Sequence, residues 1–211
     1  MSFFFIDDAA GVSTITYVGM AESGSANITI PATAQTGDIA ALYDLAISGS
    51  LPALVTPSGW ANRVNTTSGV AVRLAVSTKI LESGDAGASI TGMDGSSLDT
   101  KMMLVFRPNI LIGTATYSTF TGEATTGDAS SQSIAASGQS APVLVIAGCG
   151  TNSGPVFSTA SPAFDAEVTA TINLRMGYKI YNAGSTPASH TIDMANLGSR
   201  NSLWGGYIAL T

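Results

Sequence analysis

Val72–Thr91, VRLAVSTKILESGDAGASIT, and Ile172–Thr191, INLRMGYKIYNAGSTPASHT, read as one segment written twice. At a shift of 100 residues they share Leu74/Leu174, Lys79/Lys179, Ile80/Ile180, Gly84/Gly184, Ala88/Ala188, Ser89/Ser189 and Thr91/Thr191. Seven identities in twenty positions exceed what a biased composition supplies, and similarity at a fixed period marks a duplicated unit. Tyr17 and Tyr117 fall on the same shift, and Trp60 comes close to Phe164, each after a proline.

Outward from that segment, the apolar runs are short, rich in Val, Ile, Thr and Tyr, and bounded by Gly, Pro, Asn, Asp or Ser, the pattern of strands and turns. Candidate strands are 13–20, 26–30, 39–47, 70–81 and 101–106, then 114–121, 132–135, 142–149, 170–181 and 202–210. Asp38–Ile47 has the Ala and Leu content of a short helix, but its counterpart Val143–Ala147 is rich in β-branched residues, which decides for strand. The predicted fold is all-β, a jelly-roll-like β-sandwich of about ten strands built from two similar halves. Residues 1–12 form an N-terminal arm and 13–211 a single domain, with pseudo-repeats 13–108 and 113–211. No polar linker separates the halves at Phe106-Arg107-Pro108-Asn109-Ile110-Leu111-Ile112, so the expectation is one interleaved sandwich in which each half gives strands to both sheets.

Composition narrows the function. The chain has 211 residues, 45% of them hydrophobic, enough for a core without staples. Only 10% are charged, against roughly 25% in ordinary globular proteins. The formal net charge is -6 and the eight basic residues are scattered, so no patch can neutralise a row of phosphates and neither nucleic acid nor an anionic membrane is an expected partner. Cys149 stands alone, which excludes an intrachain disulfide and a thiolate zinc site. Phe3-Phe4-Phe5-Ile6 stops at Asp7-Asp8 with no basic residue before it, so no signal peptide is expected.

The order Gly37-Asp38, apolar strand, Thr56-Pro57-Ser58-Gly59-Trp60, strand through Lys79, Gly84-Asp85-Ala86-Gly87 and closing strand Met102 to Arg107-Pro108 resembles a two-repeat β-sandwich module of bacteriophage tail, fibre and other virion proteins and of some bacterial surface proteins. The resemblance runs from about Tyr17 to the C-terminus. The second half departs from it: Ala141-Pro142 replaces the Gly-Asp pair, and Ser161-Pro162-Ala163-Phe164 replaces the Pro-Ser-Gly-Trp turn. The resemblance implies a non-enzymatic virion protein, made in the host cytoplasm, that decorates a capsid or tail surface. Its implied partners are other virion proteins and further copies of itself, with the trimer common among such surface proteins. Carbohydrate or receptor binding by a tail or fibre module, to a host glycan, is the alternative.

The residues offer little catalytic chemistry. His190 is the only histidine and no G-x-S-x-G turn presents a serine. His190 aligns with Ile90, so it reads as a hydrogen-bonded residue at a sandwich edge, and Cys149 reads as a small buried hydrophobe. Gly148, Gly150 and Gly154 have the spacing G-x-G-x-x-x-G, with Pro155 and Pro162 denying them a helix, so no cofactor is expected and the glycines are assigned to a bulge and a rim loop. Adjacent carboxylates occur only at Asp7-Asp8, and no calcium-loop motif appears, although Asp38, Asp85, Asp94 and Asp99 read as loop carboxylates with a weak capacity for a cation. No catalytic or metal-binding residue is nominated. Phe3, Phe4 and Phe5 cannot all point to one face of a strand and are the candidate interface. Trp60, with Asn62 and Asn65, is the candidate ligand-binding group, weighed against burial of both tryptophans in the core.

Overall fold

A computed structural model describes residues 13–47, 54–69, 71–93, 99–109, 115–170, 173–195 and 198–211, and none of these is helical. The candidate interface Phe3, Phe4 and Phe5 lies outside the described residues. The first half holds β1 (Ile15–Ser23), β2 (Ile28–Thr29), β3 (Ile39–Ile47), β4 (Ala61–Ser68), β5 (Val72–Ile80), β6 (Ser89–Ile90) and β7 (Asp99–Pro108). The second holds β8 (Ala115–Tyr117), β9 (Thr121–Thr125), β10 (Gln132–Ile134), β11 (Val143–Thr151), β12 (Val156–Ser161), β13 (Ala166–Ala170), β14 (Leu174–Tyr181), β15 (His190–Ala195) and β16 (Asn201–Leu210).

Each half builds its own large antiparallel sheet, in the order β1-β7-β3-β5-β4 and β8-β16-β11-β14-β13, with β9 also paired to β16. The two orders are the same: first strand, last strand, then the strand after the first loop and the central hairpin. Register carries the likeness to single residues, since Tyr17 lies opposite Phe106 and Tyr117 opposite Ile208. Gly84 and Gly184 both have positive φ, +93° and +85°, a conformation that suits glycine, in the turn after the repeated strand.

The two large sheets face each other across one core. Ile39, Ala41, Tyr43, Leu45, Leu74, Leu104 and Phe106 from the first meet Leu144, Ile146, Leu174, Met176, Trp204 and Ile208 from the second. Their opposite faces are covered as well. The β2-β6 ribbon packs Ile28 and Ile90 on Ala40, Leu42, Met103 and Val105, while the β10-β15-β12 sheet packs Ile134, Ile192 and Phe157 on Val143, Val145 and Leu203. The architecture is therefore four β layers, and β3, β7, β11 and β16 are enclosed on both faces. This explains why these strands read as unbroken apolar runs rather than as alternating ones.

The sequence reading needs three corrections. The halves do not interleave: each large sheet is drawn wholly from one half, because the hairpins pair locally and the two sheets meet face to face. Sixteen strands are present among the described residues rather than about ten. The apolar stretch 170–181 is the end of one hairpin arm and the whole of the other, and 114–121 divides between β8 and β9. Finally, Gly148 and Gly150 lie inside β11 and not in a bulge or rim loop, while Gly154, at φ +83°, sits in the following turn.

The buried glycines set how closely aromatic rings approach the second sheet. A Cβ at Gly148 would stand 2.3 Å from Trp204 Nε1, one at Gly150 would stand 2.4 Å from Leu45, and one at Gly206 would stand 2.4 Å from Phe120. Trp204 is fully enclosed, stacked on Phe120 at 6.2 Å and edge-on to Tyr43 at 5.5 Å between centroids. Gly148→Ala is predicted to overpack this contact and lower stability by about 1–3 kcal/mol, read as a lower urea midpoint with an unchanged slope. An unchanged or higher midpoint would contradict the packing described.

Candidate functional site

Two polar groupings stand out, one open and one sealed, both on the outer face of the first sheet. The open one is a cleft of about 240 Å³ between the 57–60 turn and β6, lined by Ile30, Pro57, Ser58, Trp60, Lys79, Asp85 and Ser89 among others. Trp60 is only 9% exposed, because its ring packs into the cluster beneath the β2-β6 ribbon. Lys79 Nζ donates to Asp85 Oδ1 at 2.9 Å, and the Glu82 amide donates to Asp85 Oδ2 at 2.6 Å. Burial pushes the Asp85 carboxyl up, but these two donors outweigh it and hold it below the usual carboxylate range.

Of the residues nominated for ligand binding, only Trp60 lines this cleft. Asn62 Nδ2 donates to Thr56 Oγ1 at 2.9 Å and Asn65 Nδ2 to the Leu54 carbonyl at 3.4 Å, so both exposed amides tether the 54–56 segment to β4. A β-bulge between Asn62 and Val64 puts the two asparagines opposite Ser77 and Ala75, on the same outer face as each other.

The sealed grouping is Asp44, Asp99 and Lys101. Asp44 on β3 lies directly opposite Lys101 on β7, and Asp99 precedes Lys101 by two residues, so all three side chains share one face. Asp44 and Asp99 are each 2% exposed and Lys101 is fully buried. Lys101 Nζ is ion-paired with Asp99 and stands 3.4 Å from Asp44 Oδ1. Neither oxygen of Asp44 has a hydrogen-bond partner among the described residues. Burial first, and then the neighbouring Asp99 carboxylate, push the Asp44 carboxyl well above the usual range.

The other nominated groups are structural. His190 is 1% exposed; its Nε2 meets the Tyr181 hydroxyl at 2.9 Å and its ring stacks on Phe164. Cys149 is fully buried and its thiol is pushed up by desolvation, which removes the reactive thiolate. Asp38 is buried against a two-pronged contact from Arg107, Nε to Oδ1 at 2.9 Å and Nη2 to Oδ2 at 2.8 Å, and Asp85 is held by Lys79. Asp99 is a strand residue, a correction to its reading as a loop carboxylate, and Asp94 lies outside the described residues. No group of three or more metal-ligating side chains occurs among the described residues.

Sequence reasoning passed over Asp44 and Lys101, although a signal was present: in a chain with 10% charged residues, Asp44 interrupts the otherwise apolar strand IAALYDLAI, and Lys101 stands directly before the apolar run of DTKMMLVFRP. No protein-family model, curated protein or solved structure matches the chain.

Desolvation, its largest cause, lowers the His190 pKa in the folded state. Below the unfolded value of about 6.5, the unfolded chain therefore binds a proton that the folded chain refuses, and stability falls as pH drops through that window. The wild type is expected to lose more urea midpoint between about pH 7 and about pH 5.5 than His190→Gln loses; equal losses would show that His190 does not titrate differently on folding.

Proposed function

We propose that the chain is a non-enzymatic structural protein that works through subunit–subunit contacts, as a capsid decoration or cement protein or another surface subunit of a phage virion. The observation that carries the non-enzymatic reading is the enclosure of the lone histidine, the lone cysteine and the Asp44–Lys101–Asp99 group, all 2% exposed or less. The two carboxylates that stand together are thereby kept from any soluble substrate. Contact function is supported by the outer surface, where Lys79, Arg107, Arg175 and Lys179 are each already paired with a carboxylate of the same chain. Basic groups already paired in this way can be covered by a neighbour at smaller desolvation cost than unpaired ones. The virion setting rests on the resemblance of the first half's Gly-Asp, Pro-Ser-Gly-Trp and Gly-Asp-Ala-Gly order, within a two-repeat chain, to phage surface modules.

A second reading, binding of a host glycan or receptor, is favoured by the cleft beside Trp60, with an aromatic wall and the Lys79–Asp85 pair. The cleft is smaller than the roughly 300–1,000 Å³ of sites that enclose a drug-sized ligand, which places this reading second.

Light scattering on the purified chain, alone and mixed with isolated capsids and tails, tests the first reading. It predicts a homo-oligomer and stable binding to one of the two particles; a monomer that binds neither contradicts it. Glycan-array binding that is lost in Trp60→Ala would instead promote the second.

A further inference from the structure

The sealed Asp44–Lys101–Asp99 group is unexplained by either functional reading. Removing charges from water is costly, and a buried ion pair seldom recovers the cost. Here two carboxyls and one amine are enclosed together, with Asp44 lacking a hydrogen-bond partner among the described residues. Apolar residues share this face: Ala46, Leu54 and Ala75 form a buried cluster, and Ala75 sits opposite Asp44 on β5. The chemistry that removes the charge without removing the residues is condensation.

We propose that Lys101 and Asp44 become joined by a side-chain amide, an intramolecular isopeptide bond across the β3–β7 pair, with Asp99 serving as the acid–base group that assists its formation. Direct cross-strand pairing puts the two Cβ atoms within about 4.5–5.5 Å, and the lysine already folds back to within 3.4 Å of Asp44 Oδ1. Held at that range, the reaction gains the advantage of an intramolecular encounter.

The step balances within the three side chains. Lys101 passes one ammonium proton to the Asp99 carboxylate it is paired with, which frees the Nζ lone pair. That lone pair attacks Cγ of the protonated Asp44 carboxyl, and Asp99 hydrogen-bonds to the oxygen that develops charge. A nitrogen proton moves to the hydroxyl, the C–O bond breaks, and water leaves. The products are one amide, one neutral Asp99 carboxyl and one water, with no oxidant or cofactor consumed. An ion pair and an acid in an apolar setting are thus replaced by neutral groups, and escape of the water from the enclosed site opposes hydrolysis. The neutral form of Asp44 that the attack requires is the form its burial favours.

The bond would staple the two innermost strands of the first sheet, whatever the protein's setting. The second half has no equivalent: Cys149 and Leu203 stand at the cross-strand pair matching Asp44 and Lys101, and the buried polar pair beside them, Thr151 and Asn201, carries no charge.

Intact-mass spectrometry of the purified, denatured full chain decides the matter without any variant. The expected mass is one water below that of the sequence, with a branched peptide joining the Asp44 and Lys101 segments after digestion. A mass equal to that of the sequence would overturn the proposal, as would a branch at Asp99. Asp44→Asn is expected to lose one ammonia in place of one water; loss of water from that variant would assign the acyl group to another residue. Lys101→Arg should show the full sequence mass. Asp99→Ala should also show it while retaining a cooperative urea transition, and complete cross-linking in that variant would overturn the role given to Asp99.

Discussion

Everything in this fold depends on two like sheets meeting face to face with a single aromatic layer between them. Trp204 is its centre: enclosed by Phe120 and Tyr43 and lying against Gly148 where no Cβ intervenes. Polar contacts fix the same junction. Ser202 Oγ donates to the Gly150 carbonyl at 3.3 Å and accepts from the Tyr43 hydroxyl at 2.6 Å, so a buried hydroxyl of the first sheet is satisfied by the second. At the rim, the Ile15 amide donates to Asn182 Oδ1 at 2.7 Å and the Ala183 amide to the Ser13 carbonyl at 2.9 Å. Tyr17 stacks on Tyr178 at 5.3 Å, which brings a first-strand aromatic of one repeat onto the repeated strand of the other.

This junction determines where chemistry can sit. With both faces of the inner strands covered, a polar side chain on them is either satisfied or costly. In the second half the solution is to have almost none on the outer face of β11. In the first half the outer face of β3 and β7 carries Asp44, Asp99 and Lys101, and the halves differ chemically there despite their common strand order. Solvent-facing function is left to the outermost layers, where the Trp60 cleft lies beside β6. The second repeat puts Phe164 and His190 at the matching places, ring on ring.

Much of the fold was legible. The inner strands 39–47, 142–149 and 202–210 stood out because continuous apolar runs bounded by turn residues survive any choice of register. The duplication showed in Leu74/Leu174 and Gly84/Gly184, where core packing and a left-handed turn each restrict the residue. Two edge strands did not show: ANRVNTTS of β4 and VFSTAS of β12 have the composition of loops, since one face meets solvent and only alternate residues such as Val64 and Phe157 are buried. Interleaving was misjudged because a missing linker is equally compatible with two sheets that share a core, and the choice between them is made by side chains 100 residues apart. The sealed triad escaped notice for a related reason, since Asp44 and Lys101 are brought together only by the β3–β7 register.

The central claim is that the two halves form one cooperative body through the Trp204 layer. Native-state hydrogen exchange on the full chain, resolved to individual strands, tests it most directly. The account predicts that amides of β3 and β11 are the best protected and open together, with the same dependence on added denaturant. If one half lost its protection while the other kept it, the shared core would not be what holds the protein together.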